Sequence, residues 1–162
     1  MLQKFCSFSG SRSLLPGCLS LQVAGVLLAH FGRNGAPLAT GCCPSGLDFF
    51  ARLFCASNGF PLSVFSTSTR SASALRARTL RIVSKSSVLF VFPVSASFAH
   101  SGSWLSAFSA AAAGIPCFVF LPGVPGSVLP LCRGVVSWQQ IILFGNNFWQ
   151  PTVQVIQNEL EF

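Results

Sequence analysis

Acidic side chains are almost absent from this chain. Three occur in 162 residues, and Asp48 is the only one ahead of Glu159 and Glu161. Chemistry that needs a pair of carboxylates therefore lacks its second group until the extreme C-terminus. Histidine is nearly as scarce: His30 and His100 stand far apart, and Cys42-Cys43 are adjacent, which is not a metal-ligand spacing. No metal site is expected from such a set. Charged residues of all kinds make up 8% of the chain, tyrosine is missing, and phenylalanine reaches 17.

So little charge fits a membrane protein, or a translated frame with no folded product. From Ser86 to Cys132 the only residue able to carry charge is His100, which is long enough for a span in principle. Pro93, Gly102, Gly114, Pro116, Pro122, Gly123, Pro125, Gly126 and Pro130 cut that stretch into short pieces. Such punctuation works against a helix that must satisfy its own backbone bonds in lipid. At the N-terminus, Lys4 and the apolar run after it imitate a secretory signal, but Ser9-Gly10-Ser11-Arg12 interrupts it. The seven cysteines are odd in number, and Cys6, Cys55 and Cys117 sit within apolar runs, as reduced thiols used as small hydrophobes do. The expectation is a cytoplasmic protein that does not enter the membrane.

What the chain does have is order. Residues 4 to 8 read as a strand ending at Gly10, and Leu14 to Phe31 as a helix apolar on nearly all sides, stopped by Gly32 and Asn34-Gly35. Pro37 to Thr40 is a second strand. Leu47, Phe50, Ala51 and Phe54 follow helical spacing up to Asn58-Gly59. Leu62 to Phe65 is a third strand, with cap-capable residues in the loop Ser66 to Thr69. The next helix turns Ala72, Leu75, Thr79, Ile82 and Val83 inward and its basic residues largely outward. Val88 to Phe92 is an unbroken apolar strand, Ser101 can cap a helix through Trp104, Phe108 and Ala111, and Cys117 to Leu121 is a fifth strand. Trp104 and Phe108 are expected in the core. Alternation of this kind predicts an α/β fold: a Rossmann-like, open, mainly parallel sheet of about five strands with helices on both faces. It also weighs against a frame that encodes no folded protein. Residues 1–125 form that domain. Residues 126–162 are expected to be an irregular extension, with Val135-Val136 and Gln140 to Phe144 able to add an edge strand.

Three of the strand ends run into loops of small residues that open a helix: Gly10-Ser11-Arg12; Gly41 through Gly46 to Asp48; and Ser101-Gly102-Ser103, preceded by His100. Such loops let an anion approach the backbone while free N–H groups of the helix start face it. Ser11 and Ser103 can donate to phosphate oxygens, Arg12 offers a forked cation, and Arg78 can reach in from a neighbouring helix. Asp48 can accept from ribose hydroxyls or a backbone amide, or serve as a helix-start carboxylate. Arg70, Arg76, Arg78, Arg81 and Lys85 are half of the ten basic residues, and the net charge is +7. That segment reads mainly as a solvated helix face, with a nucleic-acid surface as the alternative.

In this order the motifs resemble the SLOG superfamily of Rossmann-like domains, which includes the Lonely Guy nucleotide phosphoribohydrolases and the DNA-processing protein DprA. The resemblance covers residues 5 to 122. It rests on Gly10-Ser11-Arg12, on Gly41 and Gly46-Leu47-Asp48, on Arg78-Thr79 and on Ser101-Gly102-Ser103-Trp104. Pro44-Ser45 stands where an Arg is common. The resemblance implies a pocket for a nucleotide or a derivative such as ADP-ribose or NAD, bound as ligand with no cofactor required. It implies N-glycosidic hydrolysis less well, because the family's acid after the third loop is missing: residues 104 to 113 hold no Asp, Glu, His or Lys. Asp48 is the remaining candidate for catalysis. DprA-like nucleic-acid binding through Arg70 to Lys85 is a further alternative, and exposed phenylalanine with low charge favours self-association.

Overall fold

The structure is a computed structural model, and it describes residues 2–99 and 101–154. Five strands and four helices alternate through its first part: β1 (Phe5–Gly10), α1 (Leu19–Arg33), β2 (Leu38–Thr40), α2 (Gly46–Asn58), β3 (Leu62–Val64), α3 (Ala72–Ser84), β4 (Ser86–Phe92), α4 (Gly102–Ala112) and β5 (Cys117–Val119). A short 3-10 turn at Gly126–Val128 leads to β6 (Val135–Leu143) and β7 (Asn146–Val153). The sheet therefore has seven strands, in the order β3-β2-β1-β4-β5-β7-β6, rather than about five. The five expected strands are mutually parallel, and the added pair is antiparallel.

The helices divide between the two faces as expected. α1 packs with α2, and α3 with α4. The alternation along β1 shows why each pair takes its side. Phe8 is fully buried beneath α1 and α2, in one core with Leu27, Leu28, Leu47 and Ala51. Its register partners are Phe90 and, through Phe90, Phe118. The three rings stack across the strands, with centroids 5.5 and 5.7 Å apart. On the opposite face β1 carries Ser7 and Ser9, small enough for α3 and α4 to come close. Ser86 Oγ lies 2.7 Å from Ser7 Oγ, and Ser9 Oγ lies 2.9 Å from Ser106 Oγ of α4. Buried hydroxyls in mutual contact avoid the cost of a lost hydrogen bond. The second core, with Leu89, Val91, Trp104, Ala107 and Phe108, lies here, and the Trp104 indole N–H donates to the Ser95 carbonyl at 2.8 Å.

Helix ends follow local chemistry. Gly59 closes α2 in the left-handed conformation, at φ 71. Ser101 Oγ accepts from the Trp104 amide at the start of α4. α3 is capped by Ser71, just beyond the Ser66 to Thr69 loop, through the Ala74 amide at 3.2 Å. α1 begins at Leu19 instead of Leu14, because Leu14 to Cys18 form a turn in which Gly17 takes φ +78.

The segment after residue 126 is not an irregular tail over its described part. β6 and β7 form a hairpin, and β7 joins the sheet where Trp149 pairs with Val119. Its two-residue turn, Phe144-Gly145, has positive φ at both positions, 51 and 75. This is the handedness that suits twisted strands. A phenylalanine there is strained. Phe144 is held by rings of α1, with centroids 4.5 Å from His30 and 6.2 Å from Phe31. Glu159 and Glu161 lie outside the described residues. Among those described, no helix is long and apolar enough to cross a membrane.

Candidate functional site

Strand order reverses between β1 and β4: β1 is followed in sequence toward β2 and β3, whereas β4 leads to β5 on its other side. In open α/β sheets the crevice outside the carboxyl ends of such strands is left uncovered by the helices. A cleft of about 870 Å³ lies here, lined by residues of β1, the loops after β1, β2 and β4, α3 and the start of α4. Ligand clefts typically measure about 300–1,000 Å³.

Nine of the ten sequence candidates line this cleft: Gly10, Ser11, Arg12, Gly41, Asp48, Arg78, Ser101, Gly102 and Ser103. Gly46 does not. It holds the walls together instead. At φ +68, a Cβ on Gly46 would overlap the Ser11 carbonyl oxygen and stand 2.5 Å from Arg12 Cα. The start of α2 is tied to the same segment: the Leu47 amide donates to the Ser11 carbonyl at 3.3 Å, and Ser45 Oγ to the Arg12 carbonyl at 2.9 Å. Those donors of α2 serve the protein's own backbone. The donors facing the cleft are at α4, where Ser101 caps Trp104 and Gly102 and Ser103 precede it. Ser11 keeps its donor too: its oxygen accepts from the Ser13 amide at 3.0 Å, leaving the hydroxyl proton free to point elsewhere. His100 lies outside the described residues.

Asp48 is 4% exposed, and protein groups engage both of its oxygens. Thr40 Oγ1 lies 3.0 Å from Oδ1 and 3.1 Å from the Phe8 carbonyl, so its one proton serves either acceptor, and the Cys43 amide donates to Oδ2 at 3.0 Å. It accepts from a backbone amide and also stands in the first turn of α2, as a helix-start carboxylate does. Arg52 braces the same loop, with Nη2 donating to the Cys43 carbonyl at 2.8 Å.

Arg78 is the exception on its helix. Arg76, Arg81 and Lys85 are exposed, whereas Arg78 is 8% exposed and points under the β2 loop. Its hydrogen-bond acceptors are sulfurs: Nη1 lies 3.3 Å from Cys42 Sγ and 3.7 Å from Cys43 Sγ. Nε is buried with no partner among the described residues. Gly41 makes room between the two charges. A Cβ there would stand 2.5 Å from Asp48 Oδ2 and 3.1 Å from Arg78 Cζ.

Two further arginines line the cleft. Arg76 reaches it from the exposed side of α3, and Arg133 from the loop before β6. Sequence spacing placed Arg76 on a solvated face, which it is, at the cleft's rim. Arg133 carries no local signal at all, since a loop after β5 brings it there. Four arginines thus face one carboxylate that is already engaged, so the cleft favours anions. No protein-family model, curated protein or solved structure matches this chain.

Proposed function

We propose that this protein binds a phosphate-bearing nucleotide or nucleotide derivative, of the ADP-ribose or NAD type, in the cleft at the ends of β1 and β4. The observation that carries the proposal is the meeting of Arg12, Arg76, Arg78 and Arg133 with the Ser101-Gly102-Ser103 helix start in one cleft at the strand reversal. Guanidinium groups and free helix-start amides are the usual phosphate donors, and the cleft is large enough for a base and ribose beside them. The SLOG resemblance points to the same class of ligand through the same loops. Binding without turnover is favoured over N-glycosidic hydrolysis because Asp48, the only acid among the described residues lining the cleft, is committed to Thr40 and Cys43.

Calorimetry at low ionic strength with ADP-ribose, NAD, ADP, AMP and pyrophosphate tests this. At least one should bind. Arg12→Ala and Arg76→Ala should each weaken it about ten-fold, as expected for a lost charge-assisted contact of about 1.4 kcal/mol. No heat and no thermal shift with any member of the panel would sink the proposal.

The basic segment offers less to nucleic acid. Arg81 Nη2 donates to the Ser66 carbonyl at 2.8 Å, Lys85 lies over the Phe65 ring, and Arg76 faces the cleft. Self-association has a better-defined surface. Among the described residues β6 ends the sheet, and its nine residues carry neither charge nor proline, the usual guards of an edge strand. Ile142 there is 70% exposed. Pairing of two β6 edges is expected to give dimers in sedimentation velocity, and Ile142→Lys should shift them toward monomer. A wild-type protein that stays monomeric at high concentration would dismiss this surface.

A further inference from the structure

A guanidinium does not give up its proton inside a protein, so the buried charge of Arg78 needs a counter-charge or good acceptors. Its acceptors are two adjacent cysteine sulfurs, and neutral thiols accept weakly. Its Nε has none among the described residues. The Asp48 carboxylate offsets part of the charge, but it is held by Thr40 and Cys43 and makes no hydrogen bond to Arg78 among the described residues, so a thiolate would supply the acceptor that is missing.

The neighbouring cysteines differ in how well placed they are. Cys42 is half-buried, with the closest sulfur contact to Nη1. Cys43 has longer contacts of 3.7 and 3.9 Å to Arg78. Burial and the nearby Asp48 charge raise the Cys42 pKa, but the Arg78 hydrogen bond, the Thr67 backbone and the Arg78 charge outweigh them and bring it below 9.0. In contrast, burial pushes Cys6 and Cys117 up to about 12. Partly exposed thiols beside a cation are the reactive ones.

We propose that Cys42 is a thiolate site for covalent capture of soft electrophiles, activated by Arg78, and that an anion bound in the cleft competes for that same arginine. The second half rests on the anion-binding proposal above; the first stands on the sulfur–guanidinium geometry alone. In the capture step the Cys42 sulfur supplies the electron pair of a new S–C bond. The leaving group departs with the electrons of the bond it breaks, and the thiol proton has already passed to solvent. With iodoacetamide the products are the carbamidomethyl thioether and iodide.

The test is the rate of iodoacetamide labelling at each cysteine of the full chain, followed by peptide mass spectrometry from pH 5.5 to 10. Cys18 and Cys132, the other half-buried thiols outside this cluster, serve as internal references. At pH 7, Cys42 should react at least about ten-fold faster than either, with its own rate inflecting below pH 9.0. Arg78→Gln should move the inflection upward. Since that variant could unfold, the wild-type ratio carries the test by itself. Cys42 labelling no faster than Cys18 and Cys132, with the same inflection, overturns the thiolate site. Pyrophosphate should slow Cys42 several-fold and leave Cys18 and Cys132 unchanged. If calorimetry shows pyrophosphate bound but labelling is unaffected, the competition is overturned and the anion cleft stands. If calorimetry shows that neither pyrophosphate nor any nucleotide binds, the cleft proposal and the competition both fail, while rapid labelling still supports the thiolate.

Discussion

Gly46→Ala is expected to cost about 4 kcal/mol or more, enough to prevent many domains of this size from accumulating in folded form. Two penalties add. At φ +68 an L-residue costs roughly 1–2 kcal/mol. The greater penalty is steric: the new methyl would overlap the Ser11 carbonyl oxygen and stand 2.5 and 2.7 Å from the Arg12 Cα and carbonyl carbon. All three are backbone atoms, so no side-chain rotation relieves the overlap. Either α2 or the Ser11-Arg12 segment must move, and the Leu47 and Ser45 hydrogen bonds to that segment stretch with it. Gly59→Ala is the control. Its φ is +71, but nothing lies within 4 Å of the added carbon, so only the conformational penalty of about 1 kcal/mol applies. Chemical denaturation of both variants separates the steric cost from the conformational one. Equal losses would show that α2 does not approach the β1 loop as closely as the structure has it.

That contact also marks the boundary between what local sequence encodes and what only the fold brings together. The parallel part of the sheet was legible because each of its signals is local: the apolar run at Val88 to Phe92, helical spacing at Leu47 to Phe54, and the glycine stop at Gly59. The loops of the cleft were legible for the same reason, since small residues between a strand and a helix are a local pattern. What each candidate touches was not. Arg78 lies on a helix whose other basic residues are exposed, and only loop residues more than thirty positions away explain its burial. Gly46 looks like part of a phosphate loop, yet its role comes from the Ser11 and Arg12 backbone, far earlier in the chain. The sequence marks an edge strand at Val135-Val136 and Gln140 to Phe144, where β6 runs, but not its hairpin partner β7, because the turn, Phe144-Gly145, lacks the Asn-Gly or Asp-Gly pair that marks such turns. Contacts with His30 and Phe31, far off in sequence, compensate for the unsuitable phenylalanine. A proline inside β7 further hides it. β5 pairs with that strand only through Val119 and Trp149, so Pro151 interrupts nothing there.

Asp48→Asn is expected to lower stability by about 2 kcal/mol, or roughly 4–8 °C in Tm for a chain of this length. The substitution keeps the shape and removes two things. With the amide oxygen turned to the Cys43 N–H, the NH2 group faces the Thr40 hydroxyl, which accepts it by turning its own proton to the Phe8 carbonyl at 3.1 Å, so a charged acceptor of two donors becomes a neutral acceptor of one. Hydrogen bonds to a charged group contribute about 1.5–3 kcal/mol and neutral ones about 0.5–1.5, so the exchange loses about 1 kcal/mol. The negative charge near buried Arg78 also disappears, so the cost of burying that cation is offset less. Thr40→Val is the companion variant. It removes the hydroxyl shared between Oδ1 and the Phe8 carbonyl while Oδ2 keeps the Cys43 amide, and should cost about 1 kcal/mol. The pair distinguishes a structural carboxylate from a catalytic one. If Asp48 organises the β2 loop, Asp48→Asn loses stability much as described, and the folded fraction still binds nucleotide, more weakly because Arg78 and the loop shift. If Asp48 acts in N-glycosidic cleavage, Asp48→Asn should retain the wild-type Tm and lose release of free base. Thermal denaturation alongside a free-base assay on AMP and NAD decides between them. An unchanged Tm would overturn the structural role given to this carboxylate.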